Sequence, residues 1–417
     1  MSAVLERLRG SALRPRRNAR LAFFGLYTRY TFQVYVQHIC VVLAGLLIAA
    51  LTIDLSTQVR EVLAAPPAAA GFEIPLRLAW YALLRSADIA TRLLPIGCFL
   101  GVLSAEVAMT VGRERLIISN TGRSPFQCVV PAVLLGIVFG GVQFTLDTFL
   151  RPMAMMAQIS GRLGDDGRRA DRTIDRGQRW FASKDALVRA RIEYGPSPVL
   201  RDLTVFATGD DGQLRKVLTA ASASPEPGTS FWLIKDGRLW VADGTGSRGF
   251  TVEVSPQTGQ ARADLGMDPV WVSHLEISPA YLPQAVLHSL ADSPGGVFDA
   301  RIYRMMIQVR YADWFLPGSM ILLASTLSLF FLRHGSSFQR VIMLALIGYV
   351  VHVALRAINL LGGYGYVSPG IVAWSIPCVL IAVATTVLTL TYALGTGEGI
   401  SGLLRKLFGG LPGRSYP

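Results

Sequence analysis

The sequence predicts an α-helical membrane protein with six transmembrane helices in a 3+3 arrangement. A β domain of sandwich or jellyroll type is inserted between the two halves. Three observations carry this reading: long stretches hold no charge, arginines gather beside alternate stretches, and residues 150–312 read as short strands divided by turns.

The charge-free runs are Thr31–Ile53, Phe126–Leu146, Trp314–Leu332 and Ala357–Gly397. Leu93–Gly112 holds one acid, Glu106, and Val341–Leu361 holds one base, Arg356. A bilayer core of about 30 Å takes roughly 20 apolar residues of helix. Five of these runs give one span each, and Ala357–Gly397 adds the sixth after the Gly362-Gly363 turn. Only 16% of the residues are charged, where a soluble chain has about a quarter. The first run is longer than the apolar part of a signal peptide and lacks a clear small-residue cleavage site, so it reads as a span.

Net charge is +12, and its placement sets orientation. Arg7, Arg9, Arg14, Arg16, Arg17, Arg20 and Arg29 precede span 1, and Arg113, Arg115 and Arg123 follow span 2. Arg333 and Arg340 follow span 4, and Arg405, Lys406 and Arg414 follow span 6. These are alternate loops, as the positive-inside rule requires, so both termini are expected in the cytoplasm. The charge is thus an orientation signal, suited to anionic lipid heads rather than to nucleic acid.

With that orientation, span 1 (32–55) exits, span 2 (92–112) returns and span 3 (126–149) exits again. The expected division is 1–150 for the cytoplasmic N-terminus and spans 1–3, 151–300 for the β domain outside the cytoplasm, and 301–417 for spans 4–6 and the cytoplasmic C-terminus. Within the middle segment ALVRARIEY, LTVFAT, RKVLTAASA, FWLIKDGRLWVA and GFTVEVS read as strands, and GPSP, GDDG, SPEPGTS and DGTGS as turns. Asp236-Gly237 between two apolar runs predicts a hairpin. Residues 280–300 read as a short helical lead-in to span 4.

Several chemistries are excluded. The four lysines, Lys184, Lys216, Lys235 and Lys406, are never followed by Ser or Thr, so no P-loop exists and any ATP-driven work needs another subunit. His334 in HGSS has serines beside it but no acid to orient it, which argues against a catalytic triad. The five histidines (His38, His274, His288, His334, His352) lack metal-ligand spacing. Cys40, Cys98, Cys128 and Cys378 all lie in apolar runs and read as small unreactive core residues. No catalytic residue, metal or cofactor is expected. A lipid-modifying membrane enzyme and a scaffold of an envelope complex are the alternative classes; the first finds no credible acid/base set, and the second leaves the polar segments below without a purpose.

Two polar groups stand out. Asp54, Arg60, Arg85 and Arg92 cluster at the outer ends of spans 1 and 2, and with Arg356 they could form a vestibule for an anionic head group. Glu106 sits two turns from Arg113, and pairing or snorkelling is the simplest account of it. The second group is TVGRERLIISNTGRSP, residues 110–125. Arg113, Glu114 and Arg115 cannot enter lipid, while Leu116, Ile117 and Ile118 give a short helix an apolar patch. Gly122 suits the residue after a helix end and Pro125 the start of the next helix. The segment 113–123 is therefore either a plain hairpin linker or a coupling helix for a separate ATPase.

This arrangement resembles the lipopolysaccharide-export permeases of the LptF/LptG (YjgP/YjgQ) type, from about Arg29 to Leu394. The motifs are Arg29-Tyr30 at span 1, Leu94-Pro95 at span 2, Glu114 with Gly122 eight residues on, Asp147 with Pro152, Pro317 and Arg340. RGQRWFASKD and the strands after it resemble the start of the family's jellyroll, and GGYGYVSP is slightly closer to the LptG branch. The resemblance implies an inner-membrane ABC transporter permease of the Gram-negative envelope with a periplasmic β-jellyroll. It implies as partners a cytoplasmic ATPase dimer, a sister permease, a bitopic jellyroll protein, a periplasmic bridge and lipopolysaccharide itself, with ATP used by the partner subunit. Glu114 would meet the ATPase with Arg113, Arg115 and Leu116 beside it, and Gly122 would end that helix. Arg60, Arg85, Arg92 and Arg356 would meet lipid, and Trp180, Phe181, Val188 and Ile192 would line the jellyroll. Arg113 and Arg115 on either side of Glu114, and Asp54 where a base is expected, depart from the family pattern.

Overall fold

The computed structural model describes residues 25–63, 74–167, 177–182, 186–193, 197–208, 213–242, 252–254, 260–275, 277–292, 300–332 and 337–396. The basic residues 7–20 and 405–414, residues 333–336 with most of HGSS, the GDDG turn at 209–212 and the DGTGS turn lie outside these.

The first half comprises α1 (Leu26–Leu63), α2 (Ile74–Val111), the short α3 (Glu114–Asn120) and α4 (Pro125–Ser160). α4 contains a π-helical turn at Leu146–Leu150. Seven strands follow: β1 (Arg179–Ala182), β2 (Ala186–Glu193), β3 (Val199–Thr208), β4 (Leu214–Pro225), β5 (Trp232–Val241), β6 (Val252–Val254) and β7 (Ala261–Ala263). The chain then forms α5 (Pro269–Ser273), a 3-10 turn at Pro279–Tyr281, α6 (Gln284–Asp292), α7 (Ala300–Asp313), α8 (Phe315–Phe331), α9 (Phe338–Gly363) and α10 (Pro369–Thr396).

Five of these helices, α1, α2, α4, α9 and α10, are long and apolar enough to cross a membrane, and α7 with α8 makes six if that pair is one span. The pair is bent by 45° at Trp314, so the charge-free run Trp314–Leu332 is the continuous α8 and the bend lies at its start. Pro317 explains the break: it has no N–H for the carbonyl of Asp313 four residues back. α2 is the central helix, with 67% of its apolar window buried, whereas α1 and α9 keep 6% and 11%. α4 and α8 touch through their backbones. A Cβ on Gly136 would lie 2.8 Å from the Gly318 Cα, the small-residue contact that lets helices pack closely where lipid gives them no hydrophobic drive. Cys98 and Cys128 are buried, but Cys40 and Cys378 lie on exposed faces, so only two of the four are core residues.

The strands form one antiparallel sheet in the order β1-β2-β3-β4-β5-β7-β6, consistent with a jellyroll. Its buried face packs on helices, in a core that includes Val188, Leu200, Val205 and Leu218 with Trp271, Leu287 and Leu290. Trp232 is fully buried there and donates its ring N–H to the Met267 carbonyl at 2.7 Å. The hairpin expected at Asp236-Gly237 does not form, because β5 runs straight through it beside β4. Asp236 takes a left-handed φ of 54° but Gly237 does not, and the tight hairpin turn needs both. Asp202 on β3 has a φ of 52°. Both left-handed residues interrupt the pairing opposite Ala221, so the Asp-Gly signal is spent on a kink that crosses three strands.

Candidate functional site

Two polar clusters sit at opposite ends of the helical bundle, one at α3 and one beneath the sheet. At the α3 end, α2 stops at Val111 and Arg113 turns the chain with a φ of 60°. Glu114 then starts α3, where an acid favours the positive end of the helix dipole. Gly122, at φ 72°, leaves the helix in the left-handed conformation expected of it. The Ser124 N–H donates to Gln127 Oε1 at 3.2 Å, and Pro125 opens α4.

Arg115 points inward and Glu114 does not. Arg115 Nε donates to Glu106 Oε2 at 2.6 Å and its Nη2 also bonds Glu106 Oε1. Glu106 is 1% exposed, so this fork neutralises a carboxylate that could not stay charged alone. Tyr35, wholly buried on α1, donates to Glu106, accepts from Arg115 Nη2 at 3.1 Å, and lies 3.4 Å from Ser325 Oγ on α8. Arg115 Nη1 donates to the Tyr27 hydroxyl at 3.2 Å, which donates to the Cys128 carbonyl at 2.9 Å. Burial alone would push the Arg115 guanidinium down; Glu106 beside it outweighs that, so its pKa is raised and it stays charged. Glu114 Oε2 instead accepts from the Tyr30 hydroxyl at 2.8 Å, at the surface. Leu116 and Ile117 are exposed.

Beneath the sheet, Asp88 on α2 is the hub. It pairs with Arg92 at 2.9 Å, Arg151 at 2.8 Å and Arg85 at 3.6 Å, and accepts from the Tyr281 hydroxyl at 3.2 Å. Arg85 also pairs with Asp54 on α1 at 3.0 Å and with Asp166 at 3.5 Å. Arg151 pairs with Asp147 in the π-helical turn at 2.9 Å. Arg310, on α7, lies 3.8 Å from Asp147 and donates to the carbonyls of Ala280 and Leu282 and to Gln284. Four helices and the base of the inserted domain meet in one network.

The bond from Tyr30 to Glu114 joins two of the segments that carry the resemblance, Arg29-Tyr30 and Glu114 to Gly122. The model of the family described as lipopolysaccharide export system permease LptF/LptG matches residues 29–390. The chain belongs to the LptF/LptG family. It is thus an inner-membrane protein of a lipopolysaccharide-export permease family, a transporter component and not an enzyme. The match spans both branches and does not separate LptF from LptG. No individual curated protein sequence matches the chain.

In this LptF/LptG permease, the residues singled out from the sequence divide as follows. Arg113, Glu114, Leu116 and Gly122 lie at or near the surface of the α3 turn, while Arg115 is turned into the bundle. The partner of Glu106 is therefore Arg115, not Arg113. Arg85 and Arg92 are engaged with acids, whereas Arg60 and Arg356 are exposed. Arg356 lies within electrostatic reach of Arg92, Arg151 and Asp88. Phe181, Val188 and Ile192 are buried against the helical layer, and Trp180, 57% exposed, is on the other face of the sheet. One lining face cannot hold all four, since neighbouring residues of a strand point to opposite sides. Trp180 stacks on Phe206 at 5.8 Å and carries the Arg189 guanidinium over its ring. Two residues along the strands, Leu187, Phe206, Val217 and Trp240 form one register row across the open face.

Asp88, Arg151 and Tyr35 were not foreseen. Asp88 was within reach of a sequence reading, because it stands three residues after Arg85 and four before Arg92, the spacings that pair on a helix. Among the described residues no group of three His, Cys, Asp or Glu side chains could hold a metal ion.

Proposed function

We propose that this chain is the transmembrane permease subunit of an ABC exporter that takes lipopolysaccharide from the inner membrane and passes it to a periplasmic β-jellyroll bridge. The single observation that carries the reading is the family match combined with a surface-presented α3 bearing Glu114, Leu116 and Ile117. In this reading the α3 end is cytoplasmic and the sheet end periplasmic. Arg113, Glu114, Leu116 and Gly122 form the coupling surface for a separate ATPase dimer, and a sister permease, a bitopic jellyroll protein and a periplasmic bridge complete the path.

Arg60 and Arg356, the exposed bases, are the phosphate contacts; Arg85 and Arg92, held by Asp54 and Asp88, shape the vestibule. Acyl chains pass along the open sheet face at Trp180, Leu187, Phe206 and Trp240 rather than along Phe181, Val188 and Ile192. Replacing Arg356 by Ala is expected to weaken photocrosslinking of lipopolysaccharide to α9 several-fold, and unchanged crosslinking would retire that contact.

The whole reading is tested by purifying the tagged chain with whatever accompanies it and reconstituting it in nanodiscs loaded with lipopolysaccharide. An ATPase and a second permease are expected to co-purify, and ATP is expected to drive lipid onto an acceptor jellyroll protein. A complex that hydrolyses ATP but releases no lipid would end the proposal.

A further inference from the structure

The flanking arginine at position 115 has no place on a surface that meets a partner, because its head is buried on Glu106. We propose that Arg115, Glu106 and Tyr35 are positioning residues that latch α3 to the spans, so that displacement of α3 and rearrangement of α1, α2 and α8 are a single movement. The inference rests on the reading of α3 as a coupling helix and deepens it.

Three features carry it. α3 has seven residues, too few to hold a helix or a position by itself. Its anchor is a two-pronged bond to a carboxylate inside the bundle, and such a fork tolerates little displacement before both bonds are lost. The same cluster reaches four helices: Glu106 belongs to α2, Tyr35 and Tyr27 to α1, Ser325 to α8, and the Cys128 carbonyl to the start of α4. If α3 moves, either Glu106 and its helix follow or a buried carboxylate is left without its cation, and burial forbids the second.

Adjacent residues then have opposite tasks. Successive helical side chains diverge by about 100°, so Glu114 can face a partner while Arg115 faces the interior. Two hydroxyls near this cluster, Thr31 Oγ1 one turn from Tyr35 on α1 and Ser328 Oγ one turn from Ser325 on α8, are buried without a hydrogen-bond partner. Polar groups spare in the resting arrangement are available to a second one.

The test uses the full complex in nanodiscs, measuring ATP hydrolysis and lipid release on the same sample. Glu106→Gln is expected to leave hydrolysis within about twofold and to lower lipid released per ATP at least tenfold. Adding Arg115→Gln to it should cause no further loss, since both act through one bond. Tyr35→Phe, which keeps the ion pair and removes only a hydroxyl, should lower the ratio several-fold in a complex assembled at normal yield. A role in folding alone would lower yield, hydrolysis and release together, leaving the ratio unchanged, and that outcome overturns the latch. A second arm needs no ATPase. A spin label at Ile117→Cys, with Cys40 and Cys378 replaced by Ala, should gain mobility at least twofold when Glu106→Gln is introduced, and unchanged mobility overturns the latch. Absence of ATP-driven release in the unaltered complex counts against the export reading instead, and the label then decides the latch.

Discussion

Reversing the charge of Glu114 with Arg is expected to abolish lipopolysaccharide delivery to the cell surface while the permease still inserts and accumulates. Among the described residues Glu114 accepts one surface bond, from Tyr30, whose loss costs about 1 kcal/mol. The fold survives that. A partner cation seated on the acid would instead meet a like charge, at a cost of several kcal/mol. Each 1.4 kcal/mol is about tenfold in affinity, so on the order of a thousandfold weaker docking follows. Tyr30→Phe is the control, because it removes the internal bond and keeps the acid, and it should leave export near normal. Surface lipopolysaccharide, assayed in cells depleted of the native protein, is the readout. Normal surface delivery with Glu114→Arg at normal protein level would sink the coupling role.

Asp88→Ala is expected to be the most destabilising single change at the base of the inserted domain. Its side chain is 6% exposed and faces the guanidinium groups of Arg92, Arg151 and Arg85. Removing it leaves Arg92 without its acid and leaves only Asp147, Asp54 and Asp166 to balance Arg151 and Arg85, and breaking a buried pair from one side costs up to about 3–5 kcal/mol. In detergent the unfolding midpoint should fall on the order of 10 °C. The same molecule supplies the contrast: Arg201 and Glu193 pair at 2.8 Å with both side chains more than half exposed, and Arg201→Ala should cost under about 1 kcal/mol. Equal shifts for the two variants would show that the hub is not a hub.

The parts of this fold legible in the sequence were those set by local rules. Charge-free runs marked the spans because lipid leaves a spanning helix few alternatives, and short β-rich runs between turn clusters marked the strands. Gly122 and Pro125 bounded α3 through backbone chemistry alone. Asp236-Gly237 misled because a turn dipeptide states what the backbone can do, while a neighbouring strand decides what it does. The order of Trp180 and Phe181 already placed them on opposite faces, so that error lay in the reading. The pairing of Arg115 with Glu106 lay deeper: nine residues and a left-handed turn separate them, and only the folded path decides which of Arg113 and Arg115 turns inward. The hydroxyls of Tyr35 and Ser325 reach the same point from 290 residues apart, with no local signal at all.

α1 and α2 are 38 residues long, nearly twice what a bilayer needs. In α2 the apolar window begins at Leu93, so residues 74–92 continue past it, a rigid extension of about 28 Å at 1.5 Å per residue. Tyr281 at the base of the inserted domain bonds Asp88 and Arg92 on this extension, and Met155 at the end of α4 joins the core under the sheet, so the domain rests on helices continuous with the spans and not on a slack tether. A rocking of α2 by about 5° would swing the tip of that extension by roughly 2.4 Å, by simple trigonometry on the same helical rise. A tilt of α2 thus reaches the domain at Asp88 and Arg92, which hold Tyr281, while the rest of the extension moves against the ends of α1 and α4.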